Sequence, residues 1–344
     1  MSRWDPEAQY DRPRRRTRPR TKDRPAHADA TTALVTTVDR GRFTLLLDAD
    51  PESDPESDPE SDVELDDRVV TAMKSRTLGR KGVVVGDRVR VVGDRTGDDG
   101  SLARIVAVEP RRTVLRRTAE DDDPVERVIV ANADQLVVVT ALADPPPRPR
   151  LVDRCLVAAL DAGMDTLLCL TKADLASPDE LLAWYRPLGV SAVAVQRDGD
   201  LSQLTERLTG RVSVLVGHSG VGKSTLVNQL VPTAHRDTGG VNTVTGRGRH
   251  TSVSAIALRL PAGGWIVDTP GIRSFGLGHV TPDGLLAAFA DLSDAARDCS
   301  RGCGHTSDEP ECGLDLAVVE HRIDPERVAS FRRLLDSRDP SSAD

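Results

Sequence analysis

The chain has 344 residues, room for about two domains of roughly 150 residues and a small third. Its 46 Lys and Arg against 54 Asp and Glu give a formal charge of −8, with 38% apolar and 3% aromatic residues, a globular composition. Five cysteines are too few for a disulfide framework, the N-terminal stretch lacks a signal-like apolar run, and no run of about 18 apolar residues could span a membrane; a cytoplasmic, monomeric chain with no membrane partner is expected.

That total hides two opposed segments. Residues 1–24 carry nine basic and four acidic residues, whereas residues 48–67 carry eleven acidic and no basic ones, with Pro-Glu-Ser-Asp repeated three times from Pro51 to Asp62. The remainder is near neutral, so an acidic sum is a poor argument against nucleic acid. The tail, read as disordered over 1–30, is either an arm that follows a phosphate backbone or a solubilising end. The acidic repeat repels itself, is interrupted by Pro and has nothing apolar to bury, so it reads as a loop inserted into a domain.

Short Val-, Thr- and Leu-rich runs, Thr31 to Leu47, Val63 to Met73, Gly82 to Val92 and Ser101 to Val108, alternate with Gly-, Asp- and Lys-rich turns, the pattern of a small β-barrel over 31–125. In Gly86-Asp87-Arg88-Val89-Arg90 a turn leads into a strand with basic residues on one face, suited to RNA or to plain solvation. Arg127 to Thr140 reads as one buried strand leading to Pro145-Pro146-Pro147. From there apolar strands alternate with amphipathic stretches around 151–162, 181–185 and 201–208, which predicts a mostly parallel sheet covered by helices, an α/β domain over 126–278. Cys155 and Cys169 lie in this apolar material and read as core thiols.

Within that domain Gly217-His218-Ser219-Gly220-Val221-Gly222-Lys223-Ser224-Thr225 follows the apolar run Arg211 to Val216 and precedes a helix-like Leu-Val-Asn-Gln-Leu. Its glycines let backbone amides turn toward phosphate oxygens, Lys223 brings a compact positive charge to the terminal phosphates, and Ser224 can place its hydroxyl on magnesium. Downstream, Asp268-Thr269-Pro270-Gly271 ends a second strand, where Asp268 can hold magnesium through water and Gly271 can offer its amide to the last phosphate. The Gly-, Thr- and Arg-rich stretch Asp237 to Ser254 between them suits a switch. Upstream, Thr171-Lys172-Ala173-Asp174 ends another strand; Asp174 could accept the two donors of the guanine edge, although a capped strand-to-helix turn uses the same residues.

Near the C-terminus Cys299, Cys303, His305 and Cys312 offer three thiolates and one imidazole within fourteen residues, a tetrahedral set that favours one structural zinc over disulfides. The helix-like stretches Leu314 to Glu320 and Pro325 to Leu335 follow, and Val328, Phe331, Leu334 and Leu335 form an apolar stripe suited to packing. This segment makes a zinc-binding helical domain over 279–340.

A TKAD element placed before the phosphate loop resembles the circularly permuted GTPases. Barrel, TKAD, GHSGVGKST, Gly246-Arg247-Gly248-Arg249-His250, DTPG and Cys/His cluster, in that order from about Thr31 to Leu335, resemble the RsgA family, also called YjeQ. That resemblance implies an OB-fold barrel, a permuted GTPase domain and a zinc domain that bind the small ribosomal subunit and its rRNA late in maturation, with hydrolysis of GTP to GDP stimulated by the subunit. It implies that Lys172 and Asp174 read guanine and that Thr251 or Ser252 approaches magnesium. Ile272 follows Gly271 and cannot polarise water, so His250 is the candidate for orienting it, with Lys223 at the phosphates. Three features depart from the family: Thr171 stands for the usual Asn; at the far end of the strand, where the family has its guanine-backing element, Gln196-Arg197 stand, Ser191-Ala192 at the near end being a decoy; and the cluster has one residue fewer before Cys303 and one more before Cys312. The competing functions are a different P-loop ATPase and a non-catalytic RNA-binding assembly module.

Overall fold

The computed structural model describes residues 29–48, 68–79, 82–118, 126–234, 255–269, 275 and 277–338. Residues 1–28, the whole acidic repeat Pro51 to Asp62, Gly246 to Ser252 with His250 and Thr251, and Gly271 lie outside the described residues.

Strands β1 (Thr31–Asp39), β2 (Arg42–Leu47), β3 (Val69–Lys74), β4 (Arg88–Gly93) and β5 (Ala103–Val108) form the barrel. Each alternates inward and outward side chains, so Ala33, Val35, Leu45, Val70, Ala72, Val89, Val91 and Ile105 fill one buried core. The order β1-β2-β3-β5-β4 closes where Thr31 pairs with Val91; only β3 and β5 run parallel. This is the OB-type closed barrel. The acidic insert joins β2 to β3, and its first residue, Asp48, pairs with Arg88 on the outer face of β4. A bulge between Val35 and Thr37 re-aims β1, and beyond it Thr37 pairs with Ile256, joining barrel to neighbouring sheet.

The run 127–140 is not one strand. It divides at Asn132, whose φ of 58° reverses the chain while its side chain accepts from the Arg112 amide at 2.8 Å and donates to the Gly86 carbonyl at 2.9 Å. Before it, β7 (Glu126–Ala131) pairs with β6 (Val114–Thr118) in a separate hairpin; after it, β8 (Gln135–Ala141) enters the large sheet. Apolarity alone could not reveal the break, because the sequence is apolar on both sides of it.

The remaining elements are α1 (Pro149–Asp161), β9 (Asp165–Thr171), α2 (Asp179–Tyr185), β10 (Ser191–Ala194), α3 (Ser202–Leu208), β11 (Val212–Val216), α4 (Lys223–Leu230), β12 (Ile256–Arg259) and β13 (Trp265–Asp268). Their order across the sheet is β10-β9-β8-β11-β13-β12, parallel except for β12. The phosphate-loop strand β11 thus sits beside strands that precede it in the chain, the permuted arrangement. Leu136 and Val138 face α1 and the C-terminal helices, whereas Val137 and Val139 face α3 and α4. Cys155 and Cys169 lie in these two cores, and burial pushes both thiols up to about 12.

Of the C-terminal helices α5 (Pro282–Leu286), α6 (Ala290–Ala295), α7 (Gly313–Val319) and α8 (Pro325–Asp336), α5 and α8 pack on α1, while α6 packs on α5 and α7, and α7 on α8. Caps start α5 and α8: the side chains of Thr281 and Asp324 accept from the amides of Gly284 and Glu326. Val328, Phe331, Leu334 and Leu335 are buried, each side chain contributing about 1.5–3 kcal/mol, so the stripe is packing as its spacing predicted. Among the described residues no helix is long and apolar enough to cross a membrane.

Candidate nucleotide site and metal centre

The phosphate loop begins where β11 ends. A side chain at Gly217 would set its Cβ 2.4 Å from the Val139 carbonyl oxygen, so only glycine lets the loop pass β8. Gly222 has a φ of 90°, which favours glycine, and it leads directly into α4, bringing the free amides of that first turn to the loop. Lys223 Nζ donates to Asp268 Oδ1 at 2.7 Å and to the Thr269 carbonyl at 3.3 Å. Thr269 Oγ1 in turn donates to the Leu215 carbonyl at 2.8 Å, so the end of β13 is fastened to β11. Lysine, Ser224 and Asp268 therefore converge on one end of the parallel sheet, the carboxyl end at which open α/β sheets bind ligands.

His218 carries a signal the motif does not. Its Nδ1 lies 2.9 Å from the Ser219 carbonyl, a contact that requires the proton on Nδ1. Nε2 is buried without a hydrogen-bond partner among the described residues, and desolvation holds the ring's pKa below the ordinary value. This histidine is a neutral part of the loop.

TKAD meets the phosphate loop through Thr171. The buried Oγ1 donates to the Val221 carbonyl at 2.6 Å and lies 3.3 Å from the Thr140 carbonyl. Lys172 takes a φ of 58° and its Nζ donates to the Asp144 carbonyl. Asp174 is exposed, and the preceding Ala173 amide donates to the Val195 carbonyl at 3.1 Å. That bond sets TKAD beside Gln196-Arg197 at the carboxyl end of β10, whereas Ser191-Ala192 lie at the opposite end of that strand.

The four ligand candidates come together in one cluster, their donor atoms all within 4.8 Å of one another. Cys299 Sγ lies 3.6 Å from His305 Nδ1 and 4.0 Å from Cys312 Sγ, and Cys312 Sγ lies 3.9 Å from that Nδ1. A tetrahedral ion with metal–sulfur bonds of about 2.3 Å requires sulfur–sulfur spacings of about 3.8 Å, so the cluster fits a metal. His305 and Glu311 within the cluster both take left-handed backbone, with φ of 58° and 57°. Outer contacts brace it: the Gly313 amide donates to Cys299 Sγ at 3.1 Å, and Asp283 Oδ1 lies 3.7 Å from His305 Nε2. Arg332 Nε donates to the His305 carbonyl at 3.0 Å while its other nitrogens form a two-pronged pair with Asp315. Sequence reasoning missed this clasp; its trace was a polar Arg pair inside the apolar stripe of α8.

A family model described as RsgA GTPase matches residues 108–278. The Small ribosomal subunit biogenesis GTPase RsgA of Pseudomonas aeruginosa strain LESB58 is 42% identical over 264 residues, 74% of this chain and 76% of that one. The protein of the same name from Chlorobaculum parvum is 39% identical over 282 residues, 79% of this chain and 90% of its own. Among solved structures, YjeQ from Thermotoga maritima superposes with a TM-score of 0.64 at 24% identity, covering 90% of this chain and 98% of that one, a likeness of fold.

Proposed function

The chain belongs to the RsgA family of small ribosomal subunit biogenesis GTPases, and from that premise we propose the working parts of its GTP hydrolysis. The observation that carries the reading is the hydrogen bond from Thr171 to Val221, which joins a guanine-type TKAD element to a phosphate loop that follows it in the chain.

GTP is held with its base against Thr171, Lys172 and Asp174 and its phosphates along Gly217, His218, Ser219, Gly220, Val221, Gly222, Lys223, Ser224 and Thr225. Lys223 exchanges part of its bond to Asp268 for the terminal phosphate. Magnesium takes hard oxygen donors, which suits Ser224, Thr251 and, through water, Asp268. Gly271 donates to the last phosphate and His250 orients the attacking water. The cluster of Cys299, Cys303, His305 and Cys312 holds one structural zinc, whose three thiolates and imidazole leave no open position for catalysis. The acting partner is the small ribosomal subunit with its rRNA, and hydrolysis is coupled to release from it.

A magnesium-dependent GTPase assay with and without purified small subunits tests this. Stimulated turnover is expected, with GTP and not ATP competing. Absence of stimulation, or equal competition by ATP, would overturn it in favour of a passive assembly module or an ATPase. The His250→Ala variant should bind GTP normally and lose stimulated hydrolysis; retained hydrolysis moves the water-orienting role elsewhere.

A further inference from the structure

We propose that one ordered water sits beneath the first turn of the phosphate loop, bridging His218 Nε2 and Thr140 Oγ1, and that His218 is thereby a positioning residue for the Gly220 amide. The part played in nucleotide binding rests on the guanine-nucleotide reading above; the water itself does not.

The sheet brings the two side chains together. Val216 of β11 pairs in parallel register with Val138 of β8, and both face the core that packs on α1. Two positions further on, His218 lies beside Thr140 on that same face, since strand side chains alternate. The loop has not yet left β8 there, as the close approach of Gly217 to the Val139 carbonyl shows. Thr140 is 2% exposed, and its Oγ1 and His218 Nε2 are two of only three buried side-chain polar atoms without a hydrogen-bond partner among the described residues. Buried polar groups are paired with protein or with water, so two such atoms on neighbouring positions point to a shared partner. Thr140 and His218 line one void of about 10 Å³, together with Arg148 and Phe275. That is room for about one water and for nothing larger.

The hydrogen-bonding roles fit. His218 gives its Nδ1 proton to the Ser219 carbonyl at 2.9 Å, so the neutral ring leaves Nε2 as a bare acceptor. Desolvation of the ring favours that neutral form. Water donates one hydrogen to Nε2 and makes a second bond with the Thr140 hydroxyl, which can donate or accept. The imidazole is then held at both nitrogens. The Ser219 carbonyl and the Gly220 N–H belong to one trans, planar unit and point in opposite directions. Holding that carbonyl against His218 turns the Gly220 amide away from the ring, toward the side on which the loop's amides meet phosphate. Gly220, with a φ of 83°, would otherwise let the peptide rotate at little cost.

Three measurements on the full zinc-loaded chain test this. A crystal structure should show a water within hydrogen-bond distance of both His218 Nε2 and Thr140 Oγ1. Nitrogen-15 NMR of the histidine-labelled protein, with His218 assigned by its loss in His218→Phe, should show a ring protonated at Nδ1 only. In calorimetric titration with GDP, Thr140→Val should weaken binding about threefold and His218→Phe, which loses the carbonyl contact as well, about tenfold. Thr140→Val should have no further effect in the His218→Phe background, because the bridge is already broken there. A dry void, a proton on Nε2, an unchanged affinity in Thr140→Val or full additivity of the two losses would each overturn the proposal. If the natural chain shows the water and the tautomer yet binds no guanine nucleotide, the reading of the site falls, and the positioning role with it, while the bridge stands.

Discussion

The Thr171 hydroxyl donates to the carbonyl of Val221 at 2.6 Å, across fifty positions of sequence. Val221 is fully buried, so its carbonyl has no recourse to water if the hydroxyl is removed.

Replacing that hydroxyl with a methyl leaves the volume and removes the donor. Thr171→Val should weaken GDP and GTP binding by a common factor of about fivefold to tenfold, the equivalent of about 1–1.4 kcal/mol for a buried carbonyl left unpaired. Calorimetric titration with both nucleotides checks this. An unchanged affinity would show that the bond is dispensable for the loop's shape.

Lys223 has a structural role that its motif conceals. Its partner Asp268 is buried, so Lys223→Ala leaves a carboxylate without its ammonium, a change that costs about 3–5 kcal/mol. Melting without nucleotide should therefore be markedly lower for Lys223→Ala, whereas Ser224→Ala should melt close to the natural chain and lose only magnesium-dependent binding. Equal melting of the two variants would deny the ion pair that role.

The legible parts of this molecule were those encoded by local rules. The phosphate loop was readable because glycine permits what other residues cannot, and the zinc cluster because its four ligands lie close in sequence. The barrel was readable from short alternating strands, although its closure between β1 and β4 left no local mark. Illegible were contacts made by ordinary residues across long separations. Nothing in a helical stretch distinguishes Arg154, Asp153 or Arg332 from solvated charges until α8 is folded back on α1. The break at Asn132 was hidden because apolar residues continue on either side of it, Val128 to Ala131 before and Leu136 to Val139 after.

Metal analysis should find one zinc per chain, lost in Cys312→Ser and retained in Cys155→Ser and Cys169→Ser, because the latter thiols belong to apolar cores. Chelation should loosen α7 and α8 first, since Arg332 links the His305 carbonyl to both helices. Exchange protection over residues 299–338 before and after chelation reads this. Retained protection with zinc removed would reduce the metal to an accessory.

Asp153 gives the chain an unusual pH signature. Burial raises its carboxyl pKa, against the opposing effect of Arg333, and one of its oxygens is buried without a hydrogen-bond partner among the described residues. The unfolded chain releases this proton near pH 3.9, while the folded chain keeps it to a higher pH. Stability from this group is therefore fully present below about pH 3.9 and falls as pH rises through the raised value. Asp153→Asn, which cannot titrate, should match the natural chain near pH 4 and exceed it increasingly toward neutrality, by about 1.4 kcal/mol for each unit of the shift. Denaturant unfolding of both proteins between pH 4 and 7 measures that difference. A gap that stays constant with pH would mean that Arg333 cancels the effect of burial, and one that reverses with pH would mean that Arg333 outweighs it, making the Asp153–Arg333 pair an ordinary stabilising ion pair holding α8 to α1.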